Sequence, residues 1–258
     1  MGSVDGGNIN QPALGRPGVA AARAGFVRQS GGLRWHLRAF FGRNRHADFK
    51  RAVAQWLEGW DPPVEGLILV GPSGAWCLPG AFLRRYAHVV SVDLDPLSPF
   101  LLRWRHGVRV HPVREDFVIA LPRLLQKYPR HAVLFANLLG QLPLERTDHE
   151  HVIAALGRVL EQHHWASFHD RYSAELEPRQ ARAARALSTH APMTPATLQQ
   201  LGYSGVWIDH GTQDVFPASL PRQYFPWRIL RRRFHWVEAG CVAPSQSARP
   251  DRSPLGIG

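Results

Sequence analysis

The sequence predicts a three-layer α/β domain built on a doubly wound, mostly parallel sheet. Three observations carry that expectation. Short apolar runs of strand length alternate along the chain with segments whose apolar residues recur every three or four positions. The first such run, "LILV" at 67–70, leads straight into a glycine turn, "GPSG". The regular part of the chain closes in two β-rich runs too near each other for a crossover helix, and such a pair must be antiparallel.

The elements follow in order. Phe49, Val53, Trp56, Leu57 and Trp60 share one helix face over 47–60. Gly66–Val70 reads as a buried strand, 81–87 as a helix and 88–95 as the second strand. A helix over "PLSPFLLRWRHG" precedes a strand at 108–113, and helical "FVIALPRLLQKY" leads to a fourth strand at 131–139. Val152, Ala155, Leu156, Val159 and Leu160 mark a helix over 148–162 with Asp148 as its N-cap. "HWASFHD" is the fifth strand. In the 172–216 stretch, "SAELEPRQARAARALSTHAP" reads as a helix and a loop, and "MTPATLQQLGY" as a helix beginning at a threonine cap; together they form a lid or complete the core. Residues 224–242 supply the terminal strand pair. Residues 1–30 and 243–258, rich in Gly, Pro, Ala and Ser, read as disordered arms around a single domain at 31–242.

Composition narrows the class. A chain of 258 residues, 45% hydrophobic and with nine Trp, is sufficient for one large core. Two cysteines and no secretion-signal core imply a reducing, cytoplasmic setting, and no apolar run approaches a membrane span of about 20 residues. The net charge of +11 is nearly all arginine, since Lys50 and Lys127 are the only lysines. It fits either a nucleic-acid partner or a bias of codon composition.

In a doubly wound sheet, ligands bind beyond the carboxyl ends of the strands, where the winding switches. Gly71 and Gly74 permit close ligand approach there. Asp93 ends the second strand about 20 residues past the glycine turn, the separation at which a carboxylate meets ribose hydroxyls. Asp95 serves the same edge or caps the next helix. Glu115 and Asp116 follow the third strand and Asn137 the fourth.

The succession "LILVGPSG", "VVSVDLD", "VREDF" and "AVLFANLLGQLP", closed by an antiparallel pair, resembles the class I S-adenosylmethionine-dependent methyltransferase family over roughly 60–242. The resemblance implies a Rossmann-like methyltransferase fold with S-adenosylmethionine as cofactor. It implies that Gly71, Ser73 and Gly74 line the methionine part and Asp93 holds the ribose. Asp116 would meet the adenine amino group, Leu94 and Phe117 would pack on its ring, and Asn137 would sit near the reacting methyl. Where the family usually carries an acid two positions before its first glycine, this chain has Leu69, so either another acid organises the turn or binding has decayed.

Other constellations have weaker chemistry. His149 with His151, and His163 with His164, lack metal-ligand spacing, and no metal is expected. His169 and Asp170, at the end of the fifth strand, are the candidates for proton transfer at an acceptor, against an ordinary strand-end turn. Arg228, Arg231, Arg232 and Arg233 read as a phosphate-contacting edge or as charge guarding an exposed strand. Ser73 lacks the spacer of a hydrolase elbow. The resulting expectation is methyl transfer from S-adenosylmethionine to an unidentified acceptor. The alternatives are a non-catalytic scaffold of the same fold binding RNA or a protein, and a nicotinamide-dependent oxidoreductase.

Overall fold

A computed structural model of the chain describes residues 32–142, 146–175, 194, 196–197 and 207–244. The expected arms at 1–30 and beyond 244, and the expected helices of the 172–216 stretch apart from its threonine cap, lie outside the described residues. At that cap, the Thr197 N–H donates to Thr194 Oγ1 at 3.1 Å.

Eight strands form one sheet: β1 (Gly66–Val70), β2 (His88–Val92), β3 (His111–Val113), β4 (His131–Ala136), β5 (Trp165–Glu175), β6 (Trp207–Asp209), β7 (Gln223–Arg228) and β8 (Arg233–Val242). Their order is β3-β2-β1-β4-β5-β8-β7, with β6 on β5. The first five run parallel, and β8 lies antiparallel between β5 and β7. The winding reverses direction at β1, which pairs β2 in one direction and β4 in the other.

Strand β1 shows why the sheet is covered twice. Leu67 and Leu69 enter one apolar cluster with Phe49, Val53 and Leu57 of the helix Ala47–Glu58, while Ile68 and Val70 enter the other. Every residue of the strand is buried, as a parallel strand between two helical layers requires. The first layer holds α1 (Gly32–Phe41), α2 (Ala47–Glu58) and the short α3 (Gly80–Leu83); α4 (Ser98–His106), α5 (Phe117–Lys127) and α6 (His149–Leu160) follow along the chain.

Several elements depart from expectation: β6 is a strand within 172–216, where none was expected, and β2 and β4 end at Val92 and Ala136 rather than at 95 and 139. Helix α3 stops at Leu83 because the chain tightens into i→i−3 bonds from Arg85 and Tyr86. Strand β3 shrinks to three exposed or half-buried residues, with Pro112 lacking an N–H on the sheet edge. Asp148 does not cap α6: both its carboxylate oxygens accept from Arg146, at 2.9 and 3.0 Å. Strand β5 runs five residues past Asp170, because β8 pairs along its whole length around an irregularity at Arg171. Past the end of β4, the freed edge of β5 pairs with β6.

Helix α1 was not legible in the sequence. It buries only His36 and Ala39, and leaves Leu33, Leu37, Phe40 and Phe41 exposed, so its buried face carries the polar residue.

Candidate active site

The turn after β1 is fastened by a carboxylate from β2. Gly71 and Gly74 hold φ of 65° and 77°, and Ser73 and Ala75 hold 43° and 51°, a run of left-handed conformations that costs energy at the two non-glycine residues. A Cβ on Gly71 would lie 2.9 Å from the Leu138 Cβ, so the close packing there admits only glycine. The Ser73 N–H donates to Asp93 Oδ2 at 2.6 Å, and the Asp95 N–H donates to Asp93 Oδ1 at 2.9 Å. Leu69 is fully buried, and Asp93 supplies the acid that organises the turn in its place. Burial raises the Asp93 carboxyl above its usual range despite these backbone donors.

Above the turn lies a cavity of about 710 Å³, within the range of small-molecule and cofactor sites. Gly71, Ser73, Asp93, Leu94, Asp116, Phe117 and Asn137 all line it, each at the carboxyl edge of a strand. Gly74 does not. Its N–H donates to Ser98 Oγ at 3.3 Å, its carbonyl accepts from Arg105 at 2.9 Å, and its Cβ position is closed by Leu101.

The remaining nominated residues differ in how free they are. Asp116 caps α5 by accepting the Val118 N–H at 2.9 Å, and its other oxygen accepts from Arg146 at 3.1 Å. Phe117 is buried, whereas Leu94 is exposed. Asn137 sits at φ 58°, with its N–H bonded to the Phe168 carbonyl and its own carbonyl to Gln141. Its side-chain oxygen is buried with no hydrogen-bond partner, a polar atom in want of a ligand donor.

His169 and Asp170 part company, as neighbours on a strand must. His169 is fully buried off the cavity, 2.9 Å from Ser167 Oγ and 3.4 Å from Glu238 Oε2, so it cannot serve an acceptor there. Burial would raise Glu238, but His169 beside it, with Tyr224 and Arg222, draws it down to about 2. Asp170 faces the cavity, with Oδ2 2.8 Å from His235 Nδ1. Burial pushes its carboxyl up, yet His235, His210 and His169 outweigh that and hold it below the usual range.

Several wall residues had no sequence signal. Trp35 and Arg38 of α1, Trp76, Arg146, Trp227, His210 and His235 complete the enclosure. Helix α1 is held there by a relay: Trp76 Nε1–H donates to His36 Nδ1 at 2.9 Å, and His36 Nε2 donates to Asp95 Oδ2 at 2.6 Å. Asp95 also accepts the Leu97 N–H, so it both turns the chain and holds α1. Arg233 is the one member of the 228–233 arginine group on the cavity wall. Cys77 lines the cavity too, but burial pushes its thiol up to about 12 and keeps it neutral.

No protein-family model matches the chain, and neither does any curated protein. Among solved structures, the chain is similar to a SAM-dependent methyltransferase from Anabaena variabilis, with 12% identity, a TM-score of 0.44, and coverage of 80% of this chain and 93% of that one. It is also similar to the N-methyltransferase NodS from Bradyrhizobium japonicum in complex with S-adenosyl-L-homocysteine (11%, 0.38, 78% and 87%). A third is magnesium protoporphyrin IX methyltransferase from Synechocystis with bound SAH (12%, 0.40, 86% and 93%). Among the described residues, no helix is long and apolar enough to cross a membrane.

Proposed function

We propose that the chain binds S-adenosylmethionine in this cavity and directs its methyl group to an acceptor. The observation that carries the reading is the convergence of Asp93, Asp116, Phe117 and Asn137 with the glycine turn on one cavity of about 710 Å³. Asp93 would hold the ribose through the lone pairs its two backbone donors leave free. Asp116 and Phe117 would take the adenine edge and face, and the unpartnered Asn137 oxygen would meet a donor near the cationic end. Bound there, the cofactor supplies an electrophilic sulfonium methyl. The protein's part is to align the acceptor with it and exclude water, which Trp35, Trp76 and Trp227 favour by closing the cavity with apolar rings.

Calorimetric titration of the full chain with S-adenosylmethionine and S-adenosylhomocysteine tests the proposal. Saturable micromolar binding that Asp93→Ala weakens supports it. Absence of binding to the folded chain overturns it in favour of the scaffold, and a nicotinamide dinucleotide that binds in its stead favours the oxidoreductase.

A further inference from the structure

Asp170, His210 and His235 come from three different segments, β5, the loop after β6, and β8, and they meet on the cavity wall. All three are buried, and one ligand atom from each lies within 4.8 Å of the others. Around a tetrahedral ion with bonds of about 2.1 Å, ligand atoms stand about 3.4 Å apart. His235 Nδ1 and Asp170 Oδ2, at 2.8 Å, already lie within that spacing, and the third ligand atom, no more than 4.8 Å from them, needs a shift of up to about 1.4 Å.

Three features point to a ligand rather than to a closed internal network. The second Asp170 oxygen is buried without a hydrogen-bond partner, although the residue is only 4% exposed. A buried carboxylate oxygen left in this way is one that a bound cation would satisfy. His210 Nδ1 lies 2.6 Å from the Gly140 carbonyl, which can only accept, so Nδ1 carries the proton and Nε2 keeps its lone pair. A ring N–H donated to a backbone carbonyl is the support that orients metal-ligating histidines. The Nε2 lone pair now accepts from Ser173 Oγ at 2.6 Å, a rotatable hydroxyl that an ion would displace. Finally, position 140 has no side chain, and a Cβ there would lie 2.6 Å from the Asp170 carbonyl oxygen and 2.8 Å from its Cβ. Glycine at 140 is what lets the carbonyl that supports His210 approach Asp170.

We infer that Asp170, His210 and His235 form a binding site for a divalent first-row transition-metal ion, with its open coordination positions facing the cavity. Two imidazoles and one carboxylate suit Zn²⁺, Co²⁺, Fe²⁺ or Mn²⁺ and disfavour Mg²⁺ and Ca²⁺, which prefer all-oxygen shells. The site stands on its own geometry. That its open positions would receive an oxygen or nitrogen of the methyl acceptor rests on the methyl-transfer reading.

The test uses the untagged full chain stripped with a chelator, titrated calorimetrically with Zn²⁺, with Co²⁺ followed through its visible d–d bands. One equivalent is expected, and Asp170→Asn and His210→Ala should each weaken it by more than about tenfold. His88→Ala serves as the control, because His88, His111 and His131 cluster at the opposite ends of the strands. A folded wild-type chain that takes no stoichiometric ion overturns the inference, and so does an ion lost on His88→Ala but kept on Asp170→Asn. Should the variants fail to fold, the wild-type stoichiometry and a Co²⁺ spectrum of imidazole-carboxylate ligation decide it. Titration of the same preparation with S-adenosylhomocysteine separates this outcome from that of the cofactor reading, since either site can fail alone.

Discussion

The two walls of the cavity are built differently. The first wall, from the glycine turn to Asn137, consists of strand-end residues, and each occupies its place because the strand before it is in register. The second wall, formed by α1, the end of β5, His210 and β8, consists of residues brought together by pairing between segments distant in sequence. The first wall is therefore specified locally and tolerates little change in backbone. The second depends on contacts that individual side chains make, such as His36 to Asp95 and His235 to Asp170.

The sharpest way to break the second wall is through the backbone. Gly140→Ala places a Cβ against the Asp170 backbone and is expected to cost about 3 kcal/mol, read as a lowered midpoint of urea unfolding. On the first wall, Asp93→Ala leaves the Ser73 and Asp95 N–H groups without their acceptor. Affinity for S-adenosylhomocysteine should fall by about 2 kcal/mol, roughly 30-fold, by calorimetry; an unchanged affinity would remove Asp93 from the ribose site. His36→Ala strands the Trp76 indole N–H and one Asp95 oxygen, and should lower stability by about 1–2 kcal/mol.

Acid distinguishes groups that back the walls. Burial, with Lys50, Arg45 and Arg38 nearby for His46 and with Arg105 for His106, lowers both histidines from 6.5 to about 4. Because the folded values are depressed, the unfolded chain binds more protons between those pH values. Their contribution is complete above about pH 6.5 and is lost as pH falls through 4, about 1 kcal/mol each after allowance for solvent. Melting temperatures at pH 7 and pH 4.5 check this, and a flat profile would contradict it. The smallest effect belongs to Asp148→Ala, an exposed partner of Arg146 that makes no cap hydrogen bond, with no resolvable change in the same unfolding measurement.

The sheet was readable because β1, β2 and β4 are apolar runs bounded by polar or turn residues, and the tight return at 224–242 requires an antiparallel pair. Asp93 and Asn137 were readable for the same reason: the residue after a buried strand must emerge at the sheet edge. Which of His169 and Asp170 faces the cavity is not legible in the sequence: the alternation of a strand allows only one of the two to do so, and Asp170 takes that side. Helix α1 escaped notice because its buried face presents a histidine, whose satisfaction by Trp76 and Asp95 is a tertiary fact.

By itself, then, the sequence determined the parallel run of the first five strands, the antiparallel pair that closes the chain's regular part and the chemistry of the cavity's first wall, since apolar periodicity and strand ends are local properties. Only the tertiary structure decided that Asp170, His210 and His235 meet within 4.8 Å and that α1 lines the cavity. The pairing of β5 with β8, and the loop that follows β6, set those distances, and no local pattern in the chain encodes them.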